Sequence, residues 1–286
     1  MCRGKPRPTD DAKGVVVSME RVAKYGLVLL GCGKMGSAML AGWLSEGLPP
    51  KSVHVIDPKP SDWVLGTGVH VNAPLPAAPA IVLIAVKPQM RGEALPLSAA
   101  METAVLLSVA AGTSIASFET VFGAGAKVIR AMPNTPAAVG QGITAIIGND
   151  HVSSADLDMA EMLLSAVGQV VRLEHEDEMD AVTGVSGAGP AYVFHMIECL
   201  AAAGEAQGLA PGRAMQLAKS TVAGAGALAE ASEESPAQLR VNVTSPNGTT
   251  QAGLAVLMDE RAGLPPLIKA TVAAATERSK ELKRDG

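Results

Sequence analysis

The chain contains few aromatic residues and few charges for its length. Of its 286 residues, 2% are aromatic and 18% are charged, whereas 48% are hydrophobic. The formal net charge of -5 argues against a general nucleic-acid-binding protein, which usually carries a basic patch. Many small apolar residues with little charge favour closely packed helices and further surface buried between subunits.

Cysteine is also scarce, with three residues at Cys2, Cys32 and Cys199. An odd number at such wide spacing predicts neither a disulfide framework nor a zinc site. We therefore expect no bound metal and a reducing, cytoplasmic location.

Unbroken apolar segments are missing as well. The start of the chain has no apolar region beyond Val15–Val17, so it is a poor signal peptide, and we interpret residues 1–23 as a flexible extension. The long uncharged run from Ala131 to Asn149 is interrupted by proline and glycine. We expect no membrane-spanning segment and no membrane partner.

What the sequence does contain is an alternation of strand-like and helical segments up to about residue 174. The strand-like segments are Tyr25–Leu30, Ser52–Asp57, Ala80–Pro88, Ala104–Gly112, Lys127–Pro136, GITAIIG and QVVRLE. This alternation predicts an α/β Rossmann-type, doubly wound parallel sheet over residues 24–174.

Strand signals stop there, and residues 175–286 are predicted to form an all-α domain. Its helices are expected at Pro190–Gln207, Pro211–Glu230, Pro236–Asn242, Thr249–Glu260 and Leu264–Leu282. The first of these is apolar around most of its circumference, which predicts a central buried helix. Five short helices cover only part of it, so we expect a homodimer.

The segment GCGKMG fits the pattern G-x-G-x-x-G at Gly31, Gly33 and Gly36. The first glycine makes a tight turn, the second admits a pyrophosphate, and the third lets helix and strand pack closely. The pattern follows a strand and opens a helix, so a dinucleotide site is favoured over a structural glycine turn.

Asp57 ends the next strand, where a carboxylate accepts hydrogen bonds from ribose hydroxyls and repels a 2′-phosphate. It favours NADH over NADPH, although Lys59 partly compensates its charge, and a solvated strand-end aspartate is the competing interpretation. The segments AVKP and AAG also fall at strand ends, where the cofactor crevice of such a sheet lies. For Lys87, a surface position and a ligand contact are both open.

Five motifs together resemble pyrroline-5-carboxylate reductases: GCGKMGSAML, AVKPQ, RAMPNTP, AVTGVSGAGPAY and LRVNVTSPNGTTQAGL. The resemblance covers about residues 25–282, and the last motif is its most specific part. It implies reduction of 1-pyrroline-5-carboxylate to L-proline by NADH or NADPH, the last step of proline biosynthesis. It also implies a Rossmann domain followed by a helical substrate-binding and dimerisation domain, assembled as a homodimer or as a decamer of dimers.

The resemblance assigns residues to both ligands, and the chemistry of imine reduction predicts Thr250 as the catalytic residue. The implied cofactor contacts are Gly31, Cys32, Gly33, Lys34, Met35, Gly36, Asp57, Asn72, Ala85, Val86, Lys87, Pro88, Ala110 and Ala111. The implied substrate contacts are Glu176, Glu233, Asn242, Val243, Ser245, Gly248, Thr249 and Thr250.

Two positions depart from the family pattern. Many members have glycine where this chain has Asn247, and because asparagine tolerates a left-handed backbone we expect the loop to be retained. Some members have a hydroxyl residue in place of Asp57, which bears on the choice between NADH and NADPH and not on the chemistry.

The loop SPNGTT suits the proposed substrate. Because it leads into a helix, the N–H groups of Gly248, Thr249 and Thr250 can converge on a carboxylate. The Thr250 hydroxyl is predicted to hydrogen-bond the imine nitrogen, as a positioning donor rather than a strong acid. A helix-capping threonine is the alternative role, and the two roles are compatible.

Other polar positions keep two interpretations. Glu176 and Glu233 are either solvated acids near helix starts or contributors to the substrate site. PNTP (Pro133–Pro136) is a rigid strand-end turn or a wall beside the nicotinamide. His195 is expected to be a core residue.

Two other functions compete with imine reduction. A two-domain 3-hydroxyacid dehydrogenase shares this architecture but needs a catalytic lysine or histidine in the helical domain, where Lys219 stands in no recognisable motif. A non-enzymatic dinucleotide sensor would keep the glycine pattern but would have no reason to keep SPNGTT.

Overall fold

The structure is a computed structural model that describes residues 10–86 and 103–285. The chain divides into two compact units. The first takes in Met1–Gly187 and Glu277–Gly286, and the second is Ala188–Thr276. In the two described ranges, no helix is both long enough and apolar enough to cross a membrane.

A sheet of eight strands, counted over the described residues, forms the centre of the first unit. The strands are β1 (Leu27–Leu30), β2 (Val53–Ile56), β3 (His70–Val71), β4 (Ile81–Ile84), β5 (Val105–Ser108), β6 (Lys127–Met132), β7 (Gly142–Gly148) and β8 (Gly168–Arg172). Their order is β3-β2-β1-β4-β5-β6-β7-β8. The chain thus winds outward in both directions from β1 and β4, which confirms the doubly wound fold and places the ligand crevice at their carboxyl ends.

Helices and apolar side chains cover both faces of this sheet. The helices are α1 (Asp10–Tyr25), α2 (Lys34–Ser45), α3 (Asp62–Gly66), α4 (Ile115–Phe122), α5 (Ser154–Ser165) and α6 (Glu178–Val182), with a π-helical turn at Thr183–Gly187 and 3₁₀ turns at Pro50–Ser52 and Thr135–Val139. Alternate residues of β1 enter opposite cores, since Leu29 packs in the cluster with Trp43 and Val28 in the cluster with Phe118. Strands β1, β4 and β5 are buried along their whole length, as continuously apolar parallel strands should be.

The sheet departs from the prediction in two places. Strand β3 was not predicted, because two residues give no periodic signal. Strands β6 and β7 pair antiparallel, whereas the other pairs are parallel. The connection between β6 and β7, residues 133–141, is shorter than the dozen or so residues that a parallel crossover needs.

Part of the predicted flexible extension over residues 1–23 is helical in the structure, since α1 begins at Asp10, and residues 1–9 lie outside the described residues. Val22 is fully buried in the core, and the Arg21 guanidinium donates to the Asp156 carboxylate at 2.9 Å. Asp156 in turn caps α5 together with Ser153. The last turns of α1 are therefore held by burial and by an ion pair.

The second unit is helical. Its helices are α7 (Gly189–Ala206), α8 (Pro211–Ala231), α9 (Pro236–Asn242), α10 (Thr249–Leu257) and α11 (Leu264–Asp285), the last of which continues into the residues of the first unit. Pro190, Pro211 and Pro236 stand in the first turns of their helices, where a missing N–H costs nothing. Gly208 follows α7 with a φ of +94°, a conformation that terminates helices.

Helix α7, which the sequence predicts to be a central buried helix, is largely exposed in the single chain. Among its residues only Ala201 is buried, and Phe194 is 58% exposed. The prediction that this helix is buried therefore requires a partner surface that the described part of one chain, residues 10–86 and 103–285, does not supply.

The division into compact units falls later than residue 174. The residues from Glu176 to Gly187 belong to the first unit, where Met179 is buried and the Asn134 amide donates to the Ser186 carbonyl at 3.2 Å. Near the chain end, the Ser279 hydroxyl donates to Asp180 at 2.7 Å. The domain boundary at residue 174 remains a prediction, and the packing places a compact boundary after Gly187.

Candidate active site

The three glycines of GCGKMG have distinct steric roles. Gly31 has a φ of +84°, and its N–H donates to the Ile56 carbonyl at 2.8 Å, which ties the turn to β2. A Cβ on Gly36 would collide with the Gly31 carbonyl oxygen, so only glycine lets α2 pack here. A Cβ on Gly33 would meet nothing within 4 Å, so open space lies in front of this residue.

The start of α2 offers unpaired N–H groups beside that space. Gly33 is the N-cap of the helix and supplies no side-chain acceptor, and Gly33 and Lys34 are exposed, with Met35 half-buried. Four N–H groups at a helix start have no partner within the helix, and they favour an anion. The open approach to Gly33 and the uncapped helix start fit the pyrophosphate of a dinucleotide.

Asp57 follows β2 and reaches back to the glycine turn. Its carboxylate oxygens accept hydrogen bonds from the backbone N–H of Cys32 and from that of Lys59, each at 2.7 Å. The Asn72 side chain accepts from the Asp57 N–H at 3.0 Å and donates to the Asp57 carbonyl at 2.8 Å. Asn72, with a φ of +48°, thus fixes the backbone that presents Asp57.

Cys32 contributes backbone rather than sulfur chemistry. Burial raises the pKa of its thiol, a hydrogen bond with the Ser37 hydroxyl lowers it by less, and the nearby Asp57 carboxylate adds the smallest effect, an increase. Ser37 donates to the Cys32 carbonyl at 2.8 Å. A buried neutral thiol is inert, so its N–H toward Asp57 is the contribution of this residue to the site.

Further predicted cofactor residues follow the carboxyl ends of β4 and β5. Leu30, Ile84 and Ser108 are aligned across β1, β4 and β5, so these strands end at one edge of the sheet. Ala85 and Val86 follow β4 there, and Ala110 and Ala111 follow β5. Lys87 and Pro88 lie outside the described residues.

The PNTP segment is a rigid turn. The Asn134 side chain accepts from the Ile143 N–H at 3.0 Å and donates to the Ser186 carbonyl. Both of its amide atoms are thus used to join β7 and the π-helical turn, which favours the structural interpretation of the motif.

The SPNGTT loop lies in the second unit and ends at the start of α10. Asn247 has a φ of +59°, in the left-handed region that asparagine was expected to tolerate. Its N–H donates to the Gln251 side chain at 2.6 Å. The next residue, Gly248, is the N-cap, and a Cβ on it would collide with the Ser245 hydroxyl. Ser245 and Gly248 are therefore in close contact.

Thr249 and Thr250 are the first two residues of α10, and both are exposed. Because Gly248 occupies the N-cap and makes no side-chain cap, the capping role considered for Thr250 is wrong. Within the described residues, no side chain at the N-cap caps the N–H groups of this first turn.

Helix α9 ends at Asn242, and Val243 follows it, just before this loop. The Asn242 amide donates to Glu234 at 2.9 Å and accepts from Gln238 at 2.8 Å. Sequence reasoning named Glu233, which is exposed, whereas its neighbour Glu234 orients Asn242. No sequence signal separates two adjacent acids in a loop.

Glu176 lies in the first unit, apart in sequence from the other predicted substrate residues. One of its carboxylate oxygens accepts from Arg130 at 2.8 Å and from the Ile115 N–H at 3.0 Å. Sequence reasoning missed Arg130, whose side chain is 3% exposed. His195 was expected in the core but is exposed in the single chain, where its ring lies 2.9 Å from Glu198.

Family models match both parts of the chain. Residues 176–282 match a model described as pyrroline-5-carboxylate reductase dimerisation. Residues 26–112 match a model described as NADP oxidoreductase, coenzyme F420-dependent.

Relatives and solved structures match nearly the whole chain. The pyrroline-5-carboxylate reductase of Synechocystis is 42% identical over 90% of this chain and 97% of its own. That of Pseudomonas aeruginosa is 38% identical over 90% and 96%. A Coxiella burnetii pyrroline-5-carboxylate reductase structure has a TM-score of 0.85 at 31% identity, covering 90% of this chain and 98% of its own. The Plasmodium falciparum enzyme, solved with NADP bound, has a TM-score of 0.78 at 28% identity, covering 91% and 99%. The chain belongs to the pyrroline-5-carboxylate reductase family of oxidoreductases.

Proposed function

We propose that the protein reduces 1-pyrroline-5-carboxylate to L-proline with a nicotinamide cofactor, as the last step of proline biosynthesis. The observation that carries this proposal is the start of α10, where Gly248 is an N-cap without a side chain and two threonines follow. Free N–H groups at the positive end of a helix dipole suit a small carboxylate. The names of the relatives support the same substrate.

Imine reduction adds a hydride to the carbon of the C=N bond and a proton to its nitrogen, which gives the CH–NH group of proline. The bound cofactor supplies the hydride. We assign to the Thr250 hydroxyl the hydrogen bond that positions the imine nitrogen: the hydroxyl donates to the lone pair of the neutral imine, and the proton that the nitrogen gains on reduction comes from water. A hydroxyl is too weak an acid to deliver the proton efficiently.

The other proposed substrate residues carry and shape this helix start. Ser245 packs against Gly248, and Asn242 is oriented by Glu234 and Gln238. The proposed set remains Glu176, Glu233, Asn242, Val243, Ser245, Gly248, Thr249 and Thr250.

For the cofactor, we propose that the glycine turn binds the pyrophosphate and that Asp57 binds the adenosine ribose. A carboxylate at this place disfavours a 2′-phosphate, which supports a preference for NADH. The Plasmodium structure with NADP bound shows that a family member binds the phosphorylated cofactor, so the preference needs measurement with both cofactors. The proposed cofactor set remains Gly31, Cys32, Gly33, Lys34, Met35, Gly36, Asp57, Asn72, Ala85, Val86, Lys87, Pro88, Ala110 and Ala111.

For assembly, we propose a homodimer that covers α7, with a decamer of dimers as the larger alternative. The match of residues 176–282 to a dimerisation model and the exposed apolar side chains of α7 support self-association. A cytoplasmic location is proposed from the widely spaced cysteines.

The experiment is NADH oxidation with pyrroline carboxylate, with 3-hydroxyacids and NAD⁺ as the contrasting assay. We expect NADH to be oxidised in the presence of pyrroline carboxylate, and no reaction with 3-hydroxyacids and NAD⁺. Oxidation of hydroxyacids would favour the dehydrogenase alternative and direct attention to Lys219, which is exposed on α8. Cofactor binding without turnover of either substrate would favour a dinucleotide sensor.

A further inference from the structure

The contacts of Glu176 with Arg130 and with the start of α4 are not explained by binding of the substrate. A single oxygen of Glu176, Oε1, accepts both from Arg130 Nη1 at 2.8 Å and from the Ile115 N–H at 3.0 Å. Ile115 is the first residue of α4, so the carboxylate also lies at the positive end of that helix. Glu176 therefore connects β6 to the start of α4.

Arg130 lies on β6, between strands β5 and β7 of the sheet. It aligns with Ser108 on β5, and the same row continues to Ile84 and Leu30. Its guanidinium is buried, and a buried charge is tolerated only with a partner. Glu176 supplies that countercharge and is itself held in one position.

The loop between β5 and α4, residues 109–114, is held by a hydrogen bond at each end. At its start, the Ala110 N–H donates to the buried Ser108 hydroxyl at 3.2 Å. At its end, the Ile115 N–H donates to Glu176. Between these ties lie Ala110 and Ala111, together with Gly112 at a φ of +71°.

We propose that Glu176 and Arg130 are positioning residues for the nicotinamide cofactor. The pair holds the loop of residues 109–114 in the conformation that receives the cofactor, with Arg130 fixing the carboxylate and the carboxylate fixing the start of α4. This inference rests on the assignment of Ala110 and Ala111 to the cofactor in the proposed function. It gives Glu176 a role that is separate from contact with the substrate.

The test is titration of the full-length protein with NADH and NADPH, followed by cofactor fluorescence. Glu176→Ala should raise the Kd by roughly tenfold, as expected when one charge-assisted hydrogen bond that supports the loop is lost. Glu176→Gln retains an acceptor for the Ile115 N–H and should stay within about threefold of the wild type. The matched control is Glu161→Ala, which breaks an exposed ion pair with Arg172 in the same unit and should leave the Kd unchanged.

Variants of Arg130 provide an independent test of the inference. Arg130→Lys keeps the charge but lacks the guanidinium that reaches Glu176, so it should also raise the Kd. The double variant Arg130→Met with Glu176→Ala should bind the cofactor no more weakly than Glu176→Ala alone, because both changes act through one contact. The double variant contains no unpaired buried charge, so it covers the case in which Glu176→Ala does not fold.

An unchanged cofactor Kd in folded Glu176→Ala or Arg130→Lys would overturn the inference. A raised KM for pyrroline carboxylate with an unchanged cofactor Kd would also overturn it and would make Glu176 a substrate ligand. The titration needs no substrate. A protein that binds cofactor through this loop but does not reduce pyrroline carboxylate would refute the proposed function and leave the inference intact.

Discussion

The carboxylate of Asp57 accepts a hydrogen bond of 2.7 Å from the backbone N–H of Cys32, and so links the end of β2 to the glycine turn. Its second oxygen accepts from the Lys59 N–H. A carboxylate has about four lone-pair positions, so these two bonds leave acceptors for ribose hydroxyls. Asp57 therefore shapes the turn, and in the proposed cofactor site it places a carboxylate where the ribose would bind.

Asp57→Ser should raise kcat/KM for NADPH relative to NADH by roughly tenfold. Two like charges about 4 Å apart repel by about 1 kcal/mol even in water, and by more in a half-buried site. Because the variant also weakens the tie to Cys32, the ratio of the two cofactors is the quantity to measure. Asp158→Ser removes an equal charge on α5 and should leave the ratio unchanged, and an unchanged ratio in Asp57→Ser would mean that Asp57 does not face the ribose.

Thr250→Ala should lower kcat by on the order of 10²-fold, since it removes the donor proposed for the reacting nitrogen. The melting temperature should hardly change, because Gly248 and not Thr250 is the N-cap of α10. Thr250→Ser keeps the hydroxyl and should keep most of the activity. Steady-state kinetics and thermal melts on both variants test this, with Thr271→Ala on α11 as a control for loss of a helical threonine hydroxyl. A near-wild-type kcat in Thr250→Ala would shift the donor role to Ser245 or to water.

Asp156 should make the protein sensitive to acid. Burial favours its neutral form, but hydrogen bonds from Lys127, Ser153 and Arg21 outweigh this and lower its pKa to about 2 from 3.8. Because the folded-state pKa lies below the unfolded value, the stabilisation is complete above about pH 4 and is lost as the pH falls toward 2. It amounts to about 2 kcal/mol.

The measurement is denaturant unfolding between pH 7 and pH 2 on the wild type and Asp156→Asn. The variant should be less stable at neutral pH, and its free energy of unfolding should fall less steeply with acid. Asp62→Asn, at an exposed aspartate of α3, should keep the acid slope of the wild type. Equal slopes in wild type and Asp156→Asn would contradict the assignment.

Self-association should depend on α7. Phe194→Glu places a charge on a side chain that is 58% exposed in the single chain, and we expect it to produce monomers, since burying an unpaired charge in an interface is costly. Leu65 on α3 has the same exposed fraction, so Leu65→Glu is the matched control and should leave the assembly intact. Sedimentation velocity at micromolar concentration distinguishes the species. A folded wild-type monomer under these conditions would exclude the proposed dimer.

The glycine turn and the buried strands could be predicted because local sterics and periodicity determine them. Gly31, Gly33 and Gly36 each occupy a position where a side chain would be strained, would clash or would block an approach. The apolar strands β1, β4 and β5 likewise follow from sequence.

The pairing of Arg130 with Glu176 could not be predicted in the same way. These residues are 46 positions apart, and their contact depends on the register of β6 in the sheet. Similarly, a shift of one residue decides that Glu234 rather than Glu233 reaches Asn242. The apolar character of α7 was evident, but its exposure in the single chain follows from tertiary packing that no sequence period describes.

The most direct test of the central claim is transfer of deuterium from 4-deuterated NADH and NADPH to 1-pyrroline-5-carboxylate, with the product analysed by mass spectrometry and NMR. We predict L-proline with one deuterium at the former imine carbon, formed by the wild type and roughly 10²-fold more slowly by Thr250→Ala. Cofactor oxidation without deuterated proline, or equal rates in the two proteins, would contradict the account.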